Sequence, residues 1–355
     1  MRTFNNLLVT GGAGFIGSNF IRFLFEKTEF KGRVINMDAL TYAGNPASLD
    51  DVAKKAGDRY VFRRADIRNR AEIDEIFNAF NIDAVCHFAA ESHVDRSIAA
   101  PDDFVQTNIV GTFNLLQAAR ERGAGFGLFH HVSTDEVFGS LGETGYFCES
   151  TPYDPHSPYS ASKAASDHLV RAYRDTYKLP VTISNCSNNY GAFQFPEKLV
   201  PLTILNAAEG KPLPVYGTGS NIRDWLHVGD HCSAIWTVMN RAALGETYVV
   251  GGRCEMRNID VVKLICAEVD RAAPPLASGL PRESLITFVK DRPGHDMRYA
   301  IDCARLENEL GWRQGEDAAT GFAKTVRWYL GNPAWVESVR TGEYRRWIDA
   351  NYARR

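Results

Sequence analysis

Eight residues near the start of the chain, Thr10-Gly11-Gly12-Ala13-Gly14-Phe15-Ile16-Gly17, restrict the fold more than any other stretch. They follow the strand-like run Asn6-Leu7-Leu8-Val9-Thr10 and open a segment, 16–27, whose apolar residues recur at three- and four-residue spacing. Glycines at such a junction permit a tight turn, close packing of helix on strand and close approach of backbone to a pyrophosphate, with the helix N-terminus facing the phosphates. An ordinary turn is the plainer reading of a glycine run, and context decides against it. The second strand ends at Asp38, about 20 residues beyond the last glycine, where a carboxylate accepts hydrogen bonds from both ribose hydroxyls of a dinucleotide. That choice favours NAD over NADP, because a 2′-phosphate would face the carboxylate and Ala39 supplies no basic group. Asp66-Ile67, ending the third strand, reads either as an adenine contact or as an Asp capping the next helix.

The rest of the first half alternates β-branched runs with amphipathic segments, as in a Rossmann-type α/β fold with a doubly wound parallel sheet. Strands are expected at 7–10, 33–38, 60–64, 84–88, 128–133 and 181–184, and helices at 16–27, 71–80, 103–122 and 159–177. After Asn185 the texture turns to Asn, Pro, Gly and aromatic residues, with 188–191 and 210–217 reading as loops. Later helices are expected at 228–241, 258–270, 318–330 and 336–349, and strands at 247–250 and 285–289. The expectation is a dinucleotide-binding domain over 1–185 and a smaller α/β substrate domain over 186–355, partly interleaved with it.

Length and charge bound the function. A chain of 355 residues with 45% hydrophobic and 23% charged residues builds a large core without staples. With 40 Lys and Arg against 43 Asp and Glu, the net charge of −3 argues against a nucleic-acid groove or membrane patch. The seven cysteines form no Cys-x-x-Cys pair and read as reduced core thiols, pointing to the cytoplasm. Met1 leads within a few residues into the first strand, so no secretory signal is expected. The histidine pairs His227/His231 and His130-His131 lack a third ligand at zinc-like spacing, and no metal is expected.

Tyr159 and Lys163 stand four residues apart, on one face of a helix, a spacing that surface pairs also show. Ser157-Pro158 supplies an N-cap and an early proline, putting Tyr159 in the first turn, where the helix field favours phenolate. A nearby ammonium and an oxidised nicotinamide would lower the phenol toward the range of a general base. Thr134, just past the strand 128–133, completes the polar grip on a substrate alcohol. Asp135 and Glu136 follow it; both reach one substrate only if the strand has ended there and the chain is turning, as Gly139 suggests. Adjacent carboxyls in a shielded site repel when both ionise, which drives their pKa values apart into an acid and a base.

These features resemble the extended short-chain dehydrogenase/reductase superfamily. With the stretches 87–97, 184–191, 223–225 and 291–296 added, the chain resembles, along nearly its whole length, the dTDP-glucose 4,6-dehydratases within it. The resemblance implies that Tyr159 deprotonates the sugar O4 as NAD⁺ takes the C4 hydride. Glu136 then removes the C5 proton, Asp135 protonates the departing O6 hydroxyl, and the hydride returns to C6, giving dTDP-4-keto-6-deoxyglucose. Such a product opens routes both to rhamnose and to other deoxysugars. Around NAD the family pattern places Gly11, Gly14, Phe15, Ile16, Gly17, Asp38, Ala39, Leu40, Thr41, Asp66, Ile67, Phe88, Ala89, Ala90, Thr107, Tyr159, Lys163 and Asn189. Around the nucleotide sugar it implies Ser92, Thr134, Asn188, Lys198, Leu199, Pro214, Val215, Tyr216, Arg223, Asn258, Asp291, Arg292, Pro293, Gly294 and His295, the two arginines as diphosphate partners. It also implies a homodimer through a four-helix bundle built on 103–122 and 159–177. Departures from the pattern are Ala39 for Lys, Phe138 for Tyr, Ala192 for Pro and Met297 for Arg, of which the first bears on NAD retention. The alternatives are a nucleotide-sugar 4-epimerase, a dehydratase acting on a UDP-sugar, and a non-enzymatic NAD sensor.

Overall fold

The computed structural model describes residues 1–291 and 294–340. Seven strands form one parallel sheet: β1 (Asn6–Thr10), β2 (Arg33–Asp38), β3 (Tyr60–Arg64), β4 (Ala84–His87), β5 (Leu128–Thr134), β6 (Val181–Cys186) and, from much later in the chain, β10 (Thr247–Val250). Their spatial order is β10-β6-β5-β4-β1-β2-β3. Period-two alternation sends successive side chains to opposite faces. Leu8, Val85 and Phe129 join one core with Ile73, Phe77, Leu115 and Val170 from the helices on that side. Leu7, Val9, Ala84, Cys86 and Leu128 join the other core with Phe20, Ile21, Leu24 and Ile235.

The remaining strands, β7 (Asn188–Tyr190), β8 (Leu213–Tyr216), β9 (Ile222–His227), β11 (Glu255–Arg257) and β12 (Ile286–Val289), make two small sheets, β11-β9-β7 and β12-β8. Helices Leu199–Glu209, Asn258–Ala272 and Ala318–Gly331 pack beside them in a core that includes Tyr190, Val215, Trp225, Ile265 and Phe322. Tyr190 and Phe322 stack with ring centroids 4.1 Å apart.

Several expectations need correction. The segments 188–191 and 210–217, read as loops, contain β7 and β8, because β9 and β12 lie far along the chain and complete their hydrogen bonding. Helix Leu199–Glu209 escaped notice because residues Val200 to Leu205 are all buried, leaving no polar face to mark its period. The helix expected at 103–122 runs in three pieces, Pro101–Phe104, a π-helical Val105–Gly111 and Thr112–Glu121. Of the helix expected at 336–349, the described part belongs to Pro333–Val339, and residues 341–349 lie outside the described residues. Thr134 is the last residue of β5, not one past it.

Phe322 is fully buried against the Tyr190 ring. Phe322→Ala is expected to lower unfolding stability by about 3–5 kcal/mol, measurable by denaturant titration.

Candidate active site

The sheet reverses its build direction between β1 and β4. The connection from β1 contributes Phe20 to one core, and the connection from β4 contributes Leu115 to the other. A crevice therefore opens at the carboxyl ends of these strands. It is a cleft of about 1050 Å³.

Its floor is the glycine turn. Gly11 has φ +70°, and a Cβ there would stand 2.7 Å from the Ala89 nitrogen. At Gly17 a Cβ would stand 2.3 Å from the Gly11 carbonyl oxygen, which only glycine avoids. Helix Phe15–Lys27 begins without a side-chain cap, so its first N–H groups have no side-chain acceptor at the cleft. Asp38 ends β2, where its carboxylate accepts from the Ala13 and Leu40 N–H groups at 2.9 and 2.8 Å and joins the glycine turn to the strand end. Burial pushes the Asp38 pKa up against these two bonds.

Most of the residues expected around NAD share this wall: Gly11, Gly14, Phe15, Ile16, Gly17, Asp38, Ala39, Thr41, Asp66, Ile67, Phe88, Ala89, Ala90, Thr107, Tyr159, Lys163 and Asn189. Leu40 does not line the cleft; its backbone serves Asp38. The capping alternative for Asp66 is removed, since Asn69 caps helix Arg70–Phe80 while Asp66 accepts from the Arg68 backbone and guanidinium. The uncapped helix start, the glycine contacts and the carboxylate ending β2 fit a dinucleotide.

Thr134, Asp135, Glu136, Tyr159 and Lys163 line the same cleft. The strand does end where the paired carboxyls require. Thr134 closes β5 and caps a single 3-10 turn, Asp135–Phe138, its Oγ1 accepting from the Glu136 N–H at 3.3 Å. Asp135 is 1% exposed, and its Oδ2 has no hydrogen-bond partner among the described residues. Burial, then the negative charges of Glu136 and Asp224, push its carboxyl well above the usual carboxylate range. On the opposite side, Ser157 and Ser160 form a reciprocal capping box with Pro158 in the first turn of helix Pro158–Tyr177, and this sets Tyr159. Lys163 is buried and donates to the Val132 carbonyl at 2.9 Å. The expected lowering of the phenol is reversed in the protein alone: burial and then Glu136 push Tyr159 well above 10.

The residues expected around the nucleotide sugar divide. Ser92, Asn188 and Lys198 line the cleft, Lys198 donating to the Ser92 carbonyl at 3.1 Å. Leu199, Pro214, Val215, Tyr216, Arg223, Asn258, Asp291, Gly294 and His295 do not line it. Tyr216 nevertheless reaches its wall, donating to Asp95 at 3.0 Å, and His295 Nδ1 stands 2.6 Å from Asp291. Arg223 is buried over the Tyr299 ring and donates to the Ile222 and Asp296 carbonyls. Asn258 opens helix Asn258–Ala272. Arg292 and Pro293 lie outside the described residues.

Sequence reasoning missed Asn108, whose amide accepts from the Glu91 N–H and donates to Ser162 Oγ at 2.8 Å; its π-helical setting has no sequence signal. It also missed the group Tyr42, Arg96 and Glu197 on the cleft wall, in which the Tyr42 hydroxyl donates to Glu197 at 3.0 Å and Arg96 lies over the Tyr42 ring. The histidines singled out earlier serve the fold. His227 caps helix Val228–Arg241, His231 meets Asn189 at 3.0 Å, and His130 lies between Thr182 and Ser184.

Comparison with known proteins places this geometry. The family model described as GDP-mannose 4,6 dehydratase matches residues 8–325. The dTDP-glucose 4,6-dehydratase of Neisseria meningitidis is 55% identical over 349 residues, covering 96% of this chain and 97% of that protein. The chain belongs to the dTDP-glucose 4,6-dehydratase family. Another dTDP-glucose 4,6-dehydratase, from Escherichia coli, is 52% identical, with 98% of both chains covered. Among solved structures, the family member DesIV of Streptomyces venezuelae, with NAD bound, superposes with a TM-score of 0.87 at 45% identity, covering 94% of this chain and 100% of that one. A Thermus thermophilus UDP-glucose 4-epimerase in complex with NAD gives a TM-score of 0.80 at 27% identity, with 92% and 99% covered, so dehydratase and epimerase share this scaffold.

A methyl group at Gly17 collides with the Gly11 carbonyl. Gly17→Ala is expected to release bound NAD on gel filtration while leaving the circular dichroism spectrum in place.

Proposed function

We propose that this protein dehydrates dTDP-glucose to dTDP-4-keto-6-deoxyglucose as an NAD-dependent hydro-lyase, with Thr134, Asp135, Glu136, Tyr159 and Lys163 carrying the chemistry. The observation that carries this reading is the Asp135–Glu136 pair, turned into one cleft with Tyr159 and the dinucleotide turn. NAD, when bound, supplies a hydride acceptor and donor at the sugar carbons. Gly11, Gly14, Gly17 and Asp38 would hold it, with Lys163 lining the same cleft. Tyr159 takes the O4 proton, with Thr134 holding that hydroxyl. Oxidation at C4 acidifies C5, and Glu136 removes that proton. Asp135, whose carboxyl burial and the neighbouring charges push up, gives its proton to the departing O6 hydroxyl. An acid and a base are both needed because hydroxide is a poor leaving group and C5–H a weak acid.

Ser92, Asn188 and Lys198 on the cleft wall, with Tyr216, Asp291 and His295 beyond its rim, support a nucleotide-sugar site there. In this reading residues 1–185 hold NAD and most of the catalytic groups, and 186–355 mainly hold the nucleotide. A homodimer is supported by Val105 and Phe113, which are 44% and 40% exposed on the helical stretch expected at the interface. No helix among the described residues is long and apolar enough to cross a membrane, and all seven cysteines are free thiols, which supports a reducing cytoplasmic setting.

Incubation with dTDP-glucose is expected to give a product lighter by one water with no accumulating NADH, and UDP-glucose is expected to react more slowly. Interconversion of C4 epimers at unchanged mass would favour the epimerase. Glu136→Gln is expected to slow water loss on the order of a hundredfold or more while C4 oxidation persists. Equal loss of both steps in a folded, NAD-bound variant would remove Glu136 from the role of C5 base.

A further inference from the structure

Behind the Tyr159–Lys163 pair lies a carboxylate that the reaction as described does not use. Asp167 is one helical turn beyond Lys163, has no exposed surface, and faces the same strand. Lys163 donates to the carbonyl of Val132, and Ser133, the next residue of β5, donates its hydroxyl to Asp167 at 2.9 Å. Asn185 on β6 donates to Asp167 at 3.0 Å and, with the same amide nitrogen, to the Thr134 carbonyl at 3.2 Å. From the opposite side the Tyr153 hydroxyl donates at 2.7 Å and itself accepts from Arg171 at 2.7 Å. His131 Nε2 stands 3.2 Å from the other carboxylate oxygen.

We infer that Asp167 is a positioning residue of the reaction: its hydrogen bonds to Ser133 and Asn185 fix the strand end that presents Thr134, and its buried negative charge, one helical turn from Lys163 without direct contact, acts on the Lys163 ammonium at a distance. The titratable groups around the pair are Lys163 and Arg171 on its own helix, His131 on β5, His87 on β4, Cys186 on β6 and Tyr153. Burial, then the Lys163 charge, drives His131 down to about 4, so near neutrality it is uncharged. His87, also buried, is driven down in the same direction. Cys186 is pushed up by burial and stays a neutral thiol. Asp167 itself is held below the usual carboxylate range, burial being outweighed by His131, then by Lys163 and the Tyr153 hydroxyl. Asp167 is the carboxylate one turn from Lys163 on the same helix, and Arg171 reaches it through Tyr153.

The inference rests on Tyr159 as the base, and the experiment separates the two. Removing a negative charge lowers the pKa of every neighbouring acid, so in the NAD-loaded Asp167→Asn enzyme the acidic limb of kcat against pH, which reports ionisation of the Tyr159–Lys163 pair, is expected to move down by about one unit. Its plateau is expected to fall roughly tenfold with KM for dTDP-glucose unchanged, since Asp167 does not reach the cleft. Asp167→Glu keeps the charge and is expected to return the limb toward its wild-type position. Tyr153→Phe removes one donor from the carboxylate and leaves its charge less neutralised, so there the limb is expected to move up. This variant decides the matter if Asp167→Asn does not fold. A limb that stays at the wild-type pH in both Asp167→Asn and Tyr153→Phe would overturn the inference. A wild-type enzyme that forms no 4-keto product, or a Tyr159→Phe variant with full kcat, would overturn the reading of Tyr159 instead.

Discussion

Every functional feature of this protein depends on the gap between β1 and β4, where neighbouring parallel strands send their connections to opposite faces of the sheet. No helix can cover the carboxyl ends of both strands at that point, so a crevice is built into the topology. The glycine turn brings a helix start to its floor, with Gly17 packed onto the Gly11 carbonyl. Asp38 closes the arrangement by bonding back to Ala13. Chain order places Thr134 at the end of β5, two strands along from β1, and its carboxyl end opens into the same crevice.

Charge then differentiates the groups that line the gap. Asp135, Tyr159 and Lys163 are all buried, and burial penalises the charged form of each. For Asp135 this pushes the carboxyl up, toward the acid's role. For Lys163 it calls for a partner, which the Val132 carbonyl supplies, with the Asp167 carboxylate one helical turn away. The same helix that carries the Tyr-x-x-x-Lys spacing therefore also carries that carboxylate, and its Ser157–Ser160 capping box fixes where all three side chains enter.

Much of this was legible in the residues. The glycine spacing, Asp38, the Ser157-Pro158 start and the Tyr159/Lys163 interval are local signals, and each stands within a few residues of the geometry it dictates. The C-terminal half was read less well because its structure is non-local. Prolines 212 and 214 mark a loop in isolation, yet β8 forms because β12, some 70 residues later, supplies the parallel partner. The Leu199–Glu209 helix has no polar stripe to betray it, being enclosed by its neighbours. The setting of Arg223, its guanidinium against backbone carbonyls and the Tyr299 ring, depends on residues some 70 positions away and has no local signal.

The amino-acid sequence by itself determined the parallel α/β class and the dinucleotide turn, because turn sterics, helix periodicity and capping act over short stretches of chain, and its resemblance to a family singled out the five residues proposed for the chemistry. Only the tertiary structure decided how those residues are charged. Which groups are buried, and which of Asp167, His131, Glu136 and Asp224 stand beside them, depends on strands and helices far apart in the chain, and electrostatic energy follows distance in space and exclusion of water.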